Sequence, residues 1–290
     1  MKKILVTGCN GQLGHCIREL SGGIKELDFI FKSSSELDIT SEIKMQEIFI
    51  SENFDYCINC AAYTKVDLAE NEQDKAFEIN AEGVRILSEY CKKGKTILIH
   101  ISTDFVFDGT KTSPYTENDI PKPINTYGKS KLKGELYINQ ILQEYFIIRT
   151  SWLYSEYGHN FLRTMLRISE NKTEIDVVSD QFGTPTYAKD LAEIILSKII
   201  IEENKKFGIY HFSNDGIASW YDFAKTIFEF SNKKISVNAI DSIAYPTSAT
   251  RPLYSVLDKS KIKGCLHLNP LNWKNSLKRA ILNSTFKLNT

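Results

Sequence analysis

The sequence predicts an α/β fold: a doubly wound parallel sheet followed by a smaller C-terminal α/β domain. Three observations lead to this prediction. Short β-rich runs alternate with amphipathic helical patterns over the first 150 residues, a glycine-rich turn follows the first run, and hydroxyl residues follow the fourth. Such alternation is typical of a parallel sheet with helices on both faces. We expect one domain over residues 1–150, joined by part of 180–205, and a second over residues 151–290.

Composition and charge exclude several classes of protein. The 290 residues carry 36 basic and 36 acidic side chains. A net charge of zero gives no attraction for nucleic acid or an anionic membrane, so we expect neither as a partner. The first predicted strand begins at Lys3, which leaves no room for a signal peptide, and no apolar run approaches the length of a membrane span. Six cysteines without framework spacing fit a reduced compartment, so we expect a cytoplasmic protein.

A glycine-rich turn follows the first predicted strand, residues 3–7. Gly8, Gly11 and Gly14 stand at GxxGxxG spacing before a helical pattern that extends to Leu20. This spacing lets the backbone turn tightly, approach a pyrophosphate closely and present a helix N-terminus to the phosphates. We therefore predict a Rossmann-type dinucleotide site, with an ordinary strand-to-helix turn as the alternative.

The second predicted strand bears on which dinucleotide binds. Asp28 stands at the expected distance from Gly8 for the ribose-binding acid of an NAD site, but it precedes the apolar run and does not follow it. At the carboxyl end the chain offers Lys32 and Ser33. A cation and a hydroxyl favour a ribose 2′-phosphate, so we expect NADP(H) as the preferred cofactor and leave use of NAD(H) open.

Small and polar residues follow the next two predicted strands. Ala61-Ala62 comes directly after strand 55–60, where small side chains permit close approach of a flat ligand. After an amphipathic helical pattern over residues 76–91, strand 96–101 delivers Ser102-Thr103-Asp104 at its carboxyl end. Open α/β sheets bind ligands at that edge. We therefore expect these residues to line the site.

Tyr127 and Lys131 open the next helical run, which extends to Leu142 after a predicted loop over 107–125. Residues four apart lie on one face of a helix. A nearby cation stabilises a phenolate, which lowers the pKa of the tyrosine toward the range of a general acid or base. The alternative for this pair is packing plus a solvated charge.

The remaining elements follow from periodicity, and the pattern becomes less regular after Thr150. Helices are predicted over 41–52, 160–168, 190–201 and 220–230, and strands over 146–149, 175–178, 209–212 and 235–239. No flexible linker separates the halves. The second half is therefore expected to pack on the sheet as a lid-like domain.

Motifs spread over nearly the whole chain together resemble one protein family. They are Thr7-Gly8 through Gly14, Ala61-Ala62-Tyr63-Thr64 with Val66-Asp67, Ser102 through Phe107, Tyr127 through Lys131, Arg149 through Trp152, Asp180-Gln181 with Gly183 and Pro185-Thr186, and Arg251-Pro252 with Ser255 and Leu257-Asp258. The chain resembles the extended short-chain dehydrogenase/reductase superfamily and, more closely, the dTDP-4-dehydrorhamnose reductase family. The last two motifs are the more specific, because the whole superfamily shares the glycines and the YxxxK spacing.

The resemblance implies a reaction and a catalytic set. The reaction is the NADPH-dependent reduction of the C4 keto group of dTDP-6-deoxy-L-lyxo-4-hexulose to dTDP-L-rhamnose. Tyr127 would protonate the C4 oxygen, Lys131 would bond the nicotinamide ribose and lower the tyrosine pKa, and Thr103 would orient the same carbonyl. Ser102 is the competing hydroxyl, and Thr103 could merely end a strand.

The resemblance also implies the contacts of each ligand. The cofactor contacts are Gly8, Asn10, Gly11, Gln12, Leu13, Lys32, Ser33, Asp38, Ile39, Ala61, Ala62, Tyr63, Asn80, Tyr127 and Lys131. The contacts of the nucleotide sugar are Thr64, Val66, Thr103, Asp104, Phe105, Tyr127, Trp152 and Arg251. Trp152 would wall the sugar; a core aromatic is the alternative. Arg251 is otherwise a structural ion-pair partner.

One position departs from the family pattern. Some members are thought to form a metal-bridged dimer through an acid two residues beyond the third glycine, and that position here is Cys16. Mg²⁺ prefers carboxylate oxygen to a thiol. We therefore predict no metal, and a monomer or weak homodimer.

Two other functions stay open. One is a reductase or epimerase of another nucleotide sugar, although an epimerase usually holds NAD through an acid after the second strand, where this chain has Lys32. The other is a non-catalytic NADP-binding regulatory subunit similar to that of methionine adenosyltransferase, since fold does not determine function.

Overall fold

The computed structural model describes residues 1–288. The strands among them are β1 (Lys2–Thr7), β2 (Leu27–Lys32), β3 (Tyr56–Asn59), β4 (Ile97–Thr103), β5 (Tyr145–Thr150), β6 (Leu153–Tyr154), β7 (Glu174–Val178), β8 (Phe182–Gly183), β9 (Thr186–Tyr187), β10 (Gly208–His211), β11 (Ala218–Ser219) and β12 (Ser236–Ile240). The helices are α1 (Gln12–Ser21), α2 (Glu42–Ser51), α3 (Val66–Ala69), α4 (Gln73–Phe77), α5 (Gly83–Gly94), α6 (Thr126–Ile141), α7 (Phe161–Ile168), α8 (Ala188–Ile194), α9 (Trp220–Phe230), α10 (Ser260–Leu266) and α11 (Trp273–Leu288).

Six parallel strands form the central sheet in the order β10-β5-β4-β3-β1-β2. β3 and β5 are buried at every residue, as expected for strands covered by helices on both faces. The strand order reverses between β1 and β3, because the chain moves from β1 outward to β2 and then to the other side. Doubly wound sheets bind ligands at the carboxyl edge of such a switch point. The predicted fold class is confirmed.

Two predicted helices contain a wider turn. The pattern over 76–91 becomes α4, a π-helical segment Glu78–Glu82, and α5, and a second π segment, Ile195–Ile201, continues α8. The first π segment lies against α6: a Cβ on Gly134 would be 2.3 Å from the carbonyl oxygen of Asn80. π turns are hard to predict because a hydrophobic pattern does not distinguish a single wide turn from regular helix.

The start of α6 is set by a cap. Asn125 is the N-cap and its side chain accepts a hydrogen bond from the backbone N–H of Gly128 at 2.8 Å. Glu70 accepts from both the backbone N–H and the hydroxyl of Thr126. The helix therefore begins at Thr126, ahead of the predicted run, and Tyr127 lies in its first turn.

Two of the apolar clusters among the described residues show how the second half of the chain packs. The first, between the central sheet and its helices, includes Ile4, Val6, Ile58, Ile99, Phe146 and Ile148, together with α8, Tyr210, Ile262 and Leu266 from the second half of the chain. The second is built entirely from residues after 150, including Tyr154, Leu162, Phe223, Trp273 and Leu277. The chain thus returns to the sheet through α8, β10 and α10.

Two further points concern membrane spans and the C-terminus. Among the described residues no helix is long and apolar enough to cross a membrane. Residues 289–290 of the predicted second domain lie outside the described part of the chain.

Candidate active site

The glycine turn lies at the switch point of the sheet. Gly8 has φ +59°, and a Cβ there would be 2.5 Å from the backbone nitrogen of Ala61, so any side chain would push β1 and β3 apart. The backbone N–H of Gly11 donates to the carbonyl of Gly8 at 3.0 Å and closes the turn. Gly11 caps α1 without a side-chain hydrogen bond, which leaves the first N–H groups of that helix for an anion.

At the carboxyl end of β2 the donors of Ser33 are already occupied. Glu36 accepts from both the backbone N–H, at 2.8 Å, and the hydroxyl of Ser33. These hydrogen bonds, together with the charges of Lys32 and Arg18, lower the pKa of Glu36. Arg18 stacks on Phe31 with its guanidinium 4.8 Å from the ring centroid. Arg18 is thus a second cation beside Lys32 that sequence reasoning missed.

Asn80 links the segment after β3 to α6. Its side chain is fully buried, accepts from the backbone N–H of Tyr63 at 2.9 Å, and donates to the carbonyl of Tyr63 and the hydroxyl of Ser130. The amide is therefore used within the protein. Tyr63 is buried in a small cluster against which Tyr127 packs.

Two other predicted cofactor contacts also have partners within the chain. Asp38 accepts from the backbone and hydroxyl of Thr40. Ile39 is buried and lies against Gly83, where an added Cβ would meet its side chain at 2.9 Å.

The two hydroxyls at the end of β4 have different partners, because successive strand residues point to opposite faces. Ser102 donates to the carboxylate of Glu135, which is also paired with Arg149 at 2.6 Å. The hydroxyl of Thr103 donates to Oδ1 of Asp104 at 3.1 Å and lies close enough to the phenol of Tyr127 to affect its pKa. The geometry therefore brings Thr103 to the tyrosine and turns Ser102 away from it.

Tyr127 has a raised pKa in this structure. Burial of the hydroxyl is the main cause and the nearby Asp104 adds to it, so that the pKa rises to about 12, although the Thr103 hydroxyl acts in the opposite direction. The expected lowering of this pKa by Lys131 is wrong, because the Lys131 amine is turned onto β4. The phenol therefore keeps its proton throughout the neutral range, as a proton donor requires.

Lys131 is almost fully buried, at 1% exposure. Its amine donates to the carbonyl of Ile101 at 2.7 Å and lies 3.2 Å from Nε2 of His100. Burial lowers the pKa of Lys131 to about 8, although Glu135 and Cys60 act in the opposite direction. The amine therefore changes charge close to neutral pH.

Asp104 is a buried carboxyl beside this pair. Its Oδ2 has no hydrogen-bond partner within the protein, and burial raises its pKa to about 7 against hydrogen bonds from Ser255 and Thr103. A buried polar atom without a partner at the carboxyl edge of the sheet is free to accept from a bound ligand.

Replacing Asp104 by Asn should stabilise the protein at high pH. The folded pKa of about 7 exceeds the ordinary value of 3.8, so the carboxyl's contribution to stability is complete below about pH 4 and is lost as the pH rises through 7. Asn is neutral throughout. At pH 8.5 we expect the free energy of unfolding of Asp104→Asn, measured by urea denaturation, to exceed that of wild type by about 1–4 kcal/mol. The difference should shrink as the pH is lowered.

Asp108→Asn is the matched control, because hydrogen bonds from Thr110 lower the pKa of Asp108. Its stability relative to wild type should not rise with pH. A pH-independent difference for Asp104→Asn would contradict the assigned environment of that carboxyl.

The predicted sugar side is closed by an ion pair. Arg251 donates from both terminal nitrogens to Asp67, at 3.0 and 2.6 Å, and Asp67 also accepts from the backbone of Ala249. Thr64 and Val66 lie just before and within the first turn of α3, on the same segment as Asp67. The arginine thus ties the second half of the chain to the segment after β3.

Trp152 stands in an unusual backbone conformation. Its φ is +47°, in the left-handed region that a bulky residue rarely adopts. Its ring stacks on Trp220 with centroids 3.6 Å apart, and a Cβ on Gly183 would be 2.6 Å from the indole. Gly183 and Trp220 therefore hold the indole of Trp152 in place. The sequence marked the glycine only as part of a motif and did not mark Trp220.

Among residues 1–288 no group of three or more His, Cys, Asp or Glu side chains is arranged to hold a metal ion. Cys16 is fully buried within α1.

Comparison with known proteins identifies the family. A family model described as the RmlD substrate binding domain matches residues 1–286. A dTDP-4-dehydrorhamnose reductase of Aggregatibacter actinomycetemcomitans is 41% identical over 287 residues, covering 96% of this chain and 98% of the relative. The chain belongs to the dTDP-4-dehydrorhamnose reductase family. The resemblance seen in the sequence and the expected enzyme class are confirmed.

Two further relatives of this reductase-family chain bear on its ligands. The crystal structure of dTDP-4-dehydrorhamnose reductase from Bacillus anthracis, in complex with NADP, is 39% identical, with a TM-score of 0.94 over 98% of this chain and all of that one. A dTDP-4-keto-6-deoxy-D-glucose reductase of Streptomyces niveus is 35% identical and covers 87% of each chain. Relatives that are named for different keto sugars therefore have similar sequence identity to this chain, 41% and 35%.

Proposed function

We propose that the protein reduces the C4 keto group of dTDP-6-deoxy-L-lyxo-4-hexulose to give dTDP-L-rhamnose, with NADPH, as a cytoplasmic monomer or weak homodimer. The observation that carries the proposal is that the Tyr127 phenol and the Thr103 hydroxyl lie close together at the carboxyl edge of the sheet that also carries the glycine turn. A proton donor and a hydroxyl meet where a dinucleotide would present its reactive ring.

The residues at the switch point fit NADPH. Gly8 and Gly11 leave room for the pyrophosphate against the uncapped start of α1, with Asn10, Gln12 and Leu13 alongside. Lys32 and Arg18 supply two cations for the 2′-phosphate at the end of β2. The cofactor, when bound, supplies the hydride that arrives at C4 of the sugar.

The chain's own residues supply the proton. As the C4 carbonyl gains a hydride, its oxygen becomes negative and takes the proton from the Tyr127 hydroxyl. Thr103 holds that oxygen by a second hydrogen bond, and Lys131, four residues along α6 from Tyr127, supplies a cation on the same face of the helix. Donors aimed at developing charge in an enclosed site stabilise the transition state more than the ground state.

The sugar and its nucleotide lie on the opposite side from the glycine turn in this proposal. Trp152 forms a wall, and Asp104 and Phe105 extend from the end of β4 toward it. Thr64 and Val66 line the α3 side, and Arg251, held in place by Asp67 and the carbonyl of Ala249, offers its two remaining N–H groups to a phosphate.

The test is NADPH oxidation by the purified protein with dTDP-6-deoxy-L-lyxo-4-hexulose, comparing Thr103→Val with Ser102→Ala. We expect Thr103→Val to lower kcat by about 10²-fold, since one donor to the oxyanion is lost. Ser102→Ala should stay within a few-fold of wild type, because Ser102 faces Glu135. A larger loss for Ser102→Ala would reverse the assignment of the hydroxyl.

Parallel assays separate the alternatives. NADH in place of NADPH measures cofactor preference, and dTDP-4-keto-6-deoxy-D-glucose tests the other keto sugar. Tight NADPH binding without turnover of either sugar would favour the regulatory-subunit function. Interconversion of sugars without net oxidation of the cofactor would favour an epimerase.

A further inference from the structure

Behind Lys131 lies a row of buried polar side chains that the proposed function does not use. Thr7, Asn59 and His100 are each 0–1% exposed. They stand side by side on adjacent strands: Thr7 on β1 pairs with Asn59 on β3, and Asn59 pairs with His100 on β4. Their side chains connect Thr7 to Asn59, Asn59 to His100 and His100 to Lys131.

Backbone geometry determines the orientation of the Asn59 amide. The backbone N–H of Ala61 donates to Oδ1 of Asn59 at 3.1 Å, and the hydroxyl of Thr7 donates to the same oxygen at 2.7 Å. A backbone N–H can only donate, so the amide oxygen must face Ala61. The Asn59 NH₂ group therefore faces Nδ1 of His100, 3.0 Å away.

The amide in turn determines the tautomer of His100. An NH₂ group can only donate, so Nδ1 of His100 must accept and carries no proton. Burial, with the adjacent Lys131, holds the pKa of His100 well below its usual value, so the ring is neutral. A neutral imidazole has one N–H, which here is on Nε2. That N–H lies 3.2 Å from the amine of Lys131.

An N–H aimed at a lysine favours the uncharged amine. An ammonium has only donors, whereas the neutral amine has a lone pair that accepts. The other charged or titratable groups that act on Lys131 are Glu135 on α6 and Cys60 after β3, and both favour the charged form. The charge of Glu135 is largely met by Arg149. The hydrogen bond from His100 thus favours the neutral amine and opposes the effects of Glu135 and Cys60.

We propose that His100 is a positioning residue for Lys131: with its proton held on Nε2 by Asn59, it fixes the amine beside β4 and stabilises its neutral form. Any effect of His100 on the reaction rate rests on the proposed function, in which the ammonium of Lys131 assists the reaction. The tautomer and the titration of Lys131 can both be measured without turnover, so the two proposals can fail separately.

The first experiment is NMR of the protein with ¹⁵N-labelled histidine. Long-range ¹H–¹⁵N spectra distinguish the two neutral tautomers, and His100→Gln assigns the signal among the five histidines. We expect the Nε2–H tautomer of His100 from pH 7 to 9. The Nδ1–H tautomer in wild type would overturn the proposal, whatever the variants do.

The second experiment reverses the pattern with Asn59→Asp. A carboxylate at this position accepts from Ala61, from Thr7 and from Nδ1–H of His100, so the tautomer should invert and Nε2 should accept from the Lys131 ammonium. The titration of Lys131 is followed with ¹³Cε-labelled lysine, and Lys131→Met assigns the signal. The pH at which Lys131 is half-protonated should be about one unit higher in Asn59→Asp than in wild type.

The control separates the tautomer from the added charge. In a His100→Phe background the same Asn59→Asp change should shift the titration of Lys131 less than about threefold. A full shift there would mean that the carboxylate acts directly, and it would overturn the role of His100. Thermal unfolding of each variant checks that the fold is retained.

Discussion

Replacing Tyr127 by Phe should lower kcat for NADPH-dependent reduction by about 10²–10⁴-fold, the usual contribution of a positioned acid. The change deletes the hydroxyl that Thr103 meets and keeps the ring that packs near Tyr63 and Phe105. The Kd for NADPH, measured by fluorescence titration, should therefore stay within a few-fold of wild type. Loss is expected in the chemical step, which single-turnover kinetics measures directly.

Tyr137→Phe is the matched control on the same helix. Its hydroxyl donates to Glu82 at 2.8 Å, away from the carboxyl edge of the sheet. This variant should keep wild-type kcat. If Tyr127→Phe retained more than a tenth of the wild-type rate, the proton would have to come from another group, and the proposed role of Tyr127 as the acid would be wrong.

Replacing Arg149 by Met should strongly destabilise the folded protein. Arg149 and Glu135 are each about 2% exposed and paired at 2.6 Å, and Ser102 donates to the same carboxylate. Removing the arginine leaves a buried carboxylate without its counter-charge, which typically costs about 3–5 kcal/mol. Urea denaturation followed by tryptophan fluorescence should show a loss of that size in the free energy of unfolding.

Two comparisons test the cause. Arg85→Met removes a pair with Glu82 and Glu89 on the surface of α5, where exposed pairs contribute at most about 1 kcal/mol, so it should change stability little. Adding Glu135→Leu to Arg149→Met should recover much of the loss, since no charge then remains buried. A loss below about 1 kcal/mol for Arg149→Met alone would show that the pair is not what holds α6 to the sheet.

The Arg149–Glu135 ion pair also helps to position α6 at the site. It joins β5 to α6 one turn beyond Lys131, and Ser102 adds β4 to the same contact. The helix that carries Tyr127 is thereby held past its middle by Glu135 and at its N-terminus by Glu70, which accepts from Thr126. The tyrosine lies between two anchors that the sequence did not mark.

Several parts of the site could be predicted from local patterns. The glycine turn follows a buried strand and precedes a helix, and the hydroxyls after β4 stand at a strand end. Both placements depend only on residues near one another in the chain, so periodicity suffices to predict them. Assigning catalysis to Thr103 over Ser102 was different, because it depends on which face of β4 meets α6.

The environment of the titratable groups could not be predicted in the same way. The pair spacing of Tyr127 and Lys131 suggested a lowered pKa for the phenol, whereas burial and Asp104 raise it to about 12. Lys131 turns to His100 and Ile101, residues some 30 positions earlier in the chain. A hydrogen-bond network between distant segments leaves no periodic signal.

The sequence by itself determined the α/β class, the glycine turn after β1 and the family, because these depend on short-range spacing and alternation. Only the tertiary structure decided which hydroxyl faces Tyr127, where the chain rejoins the sheet, and which charges are buried together. Burial and electrostatics depend on what packs against a group from other strands and helices, and that packing is a property of the whole fold.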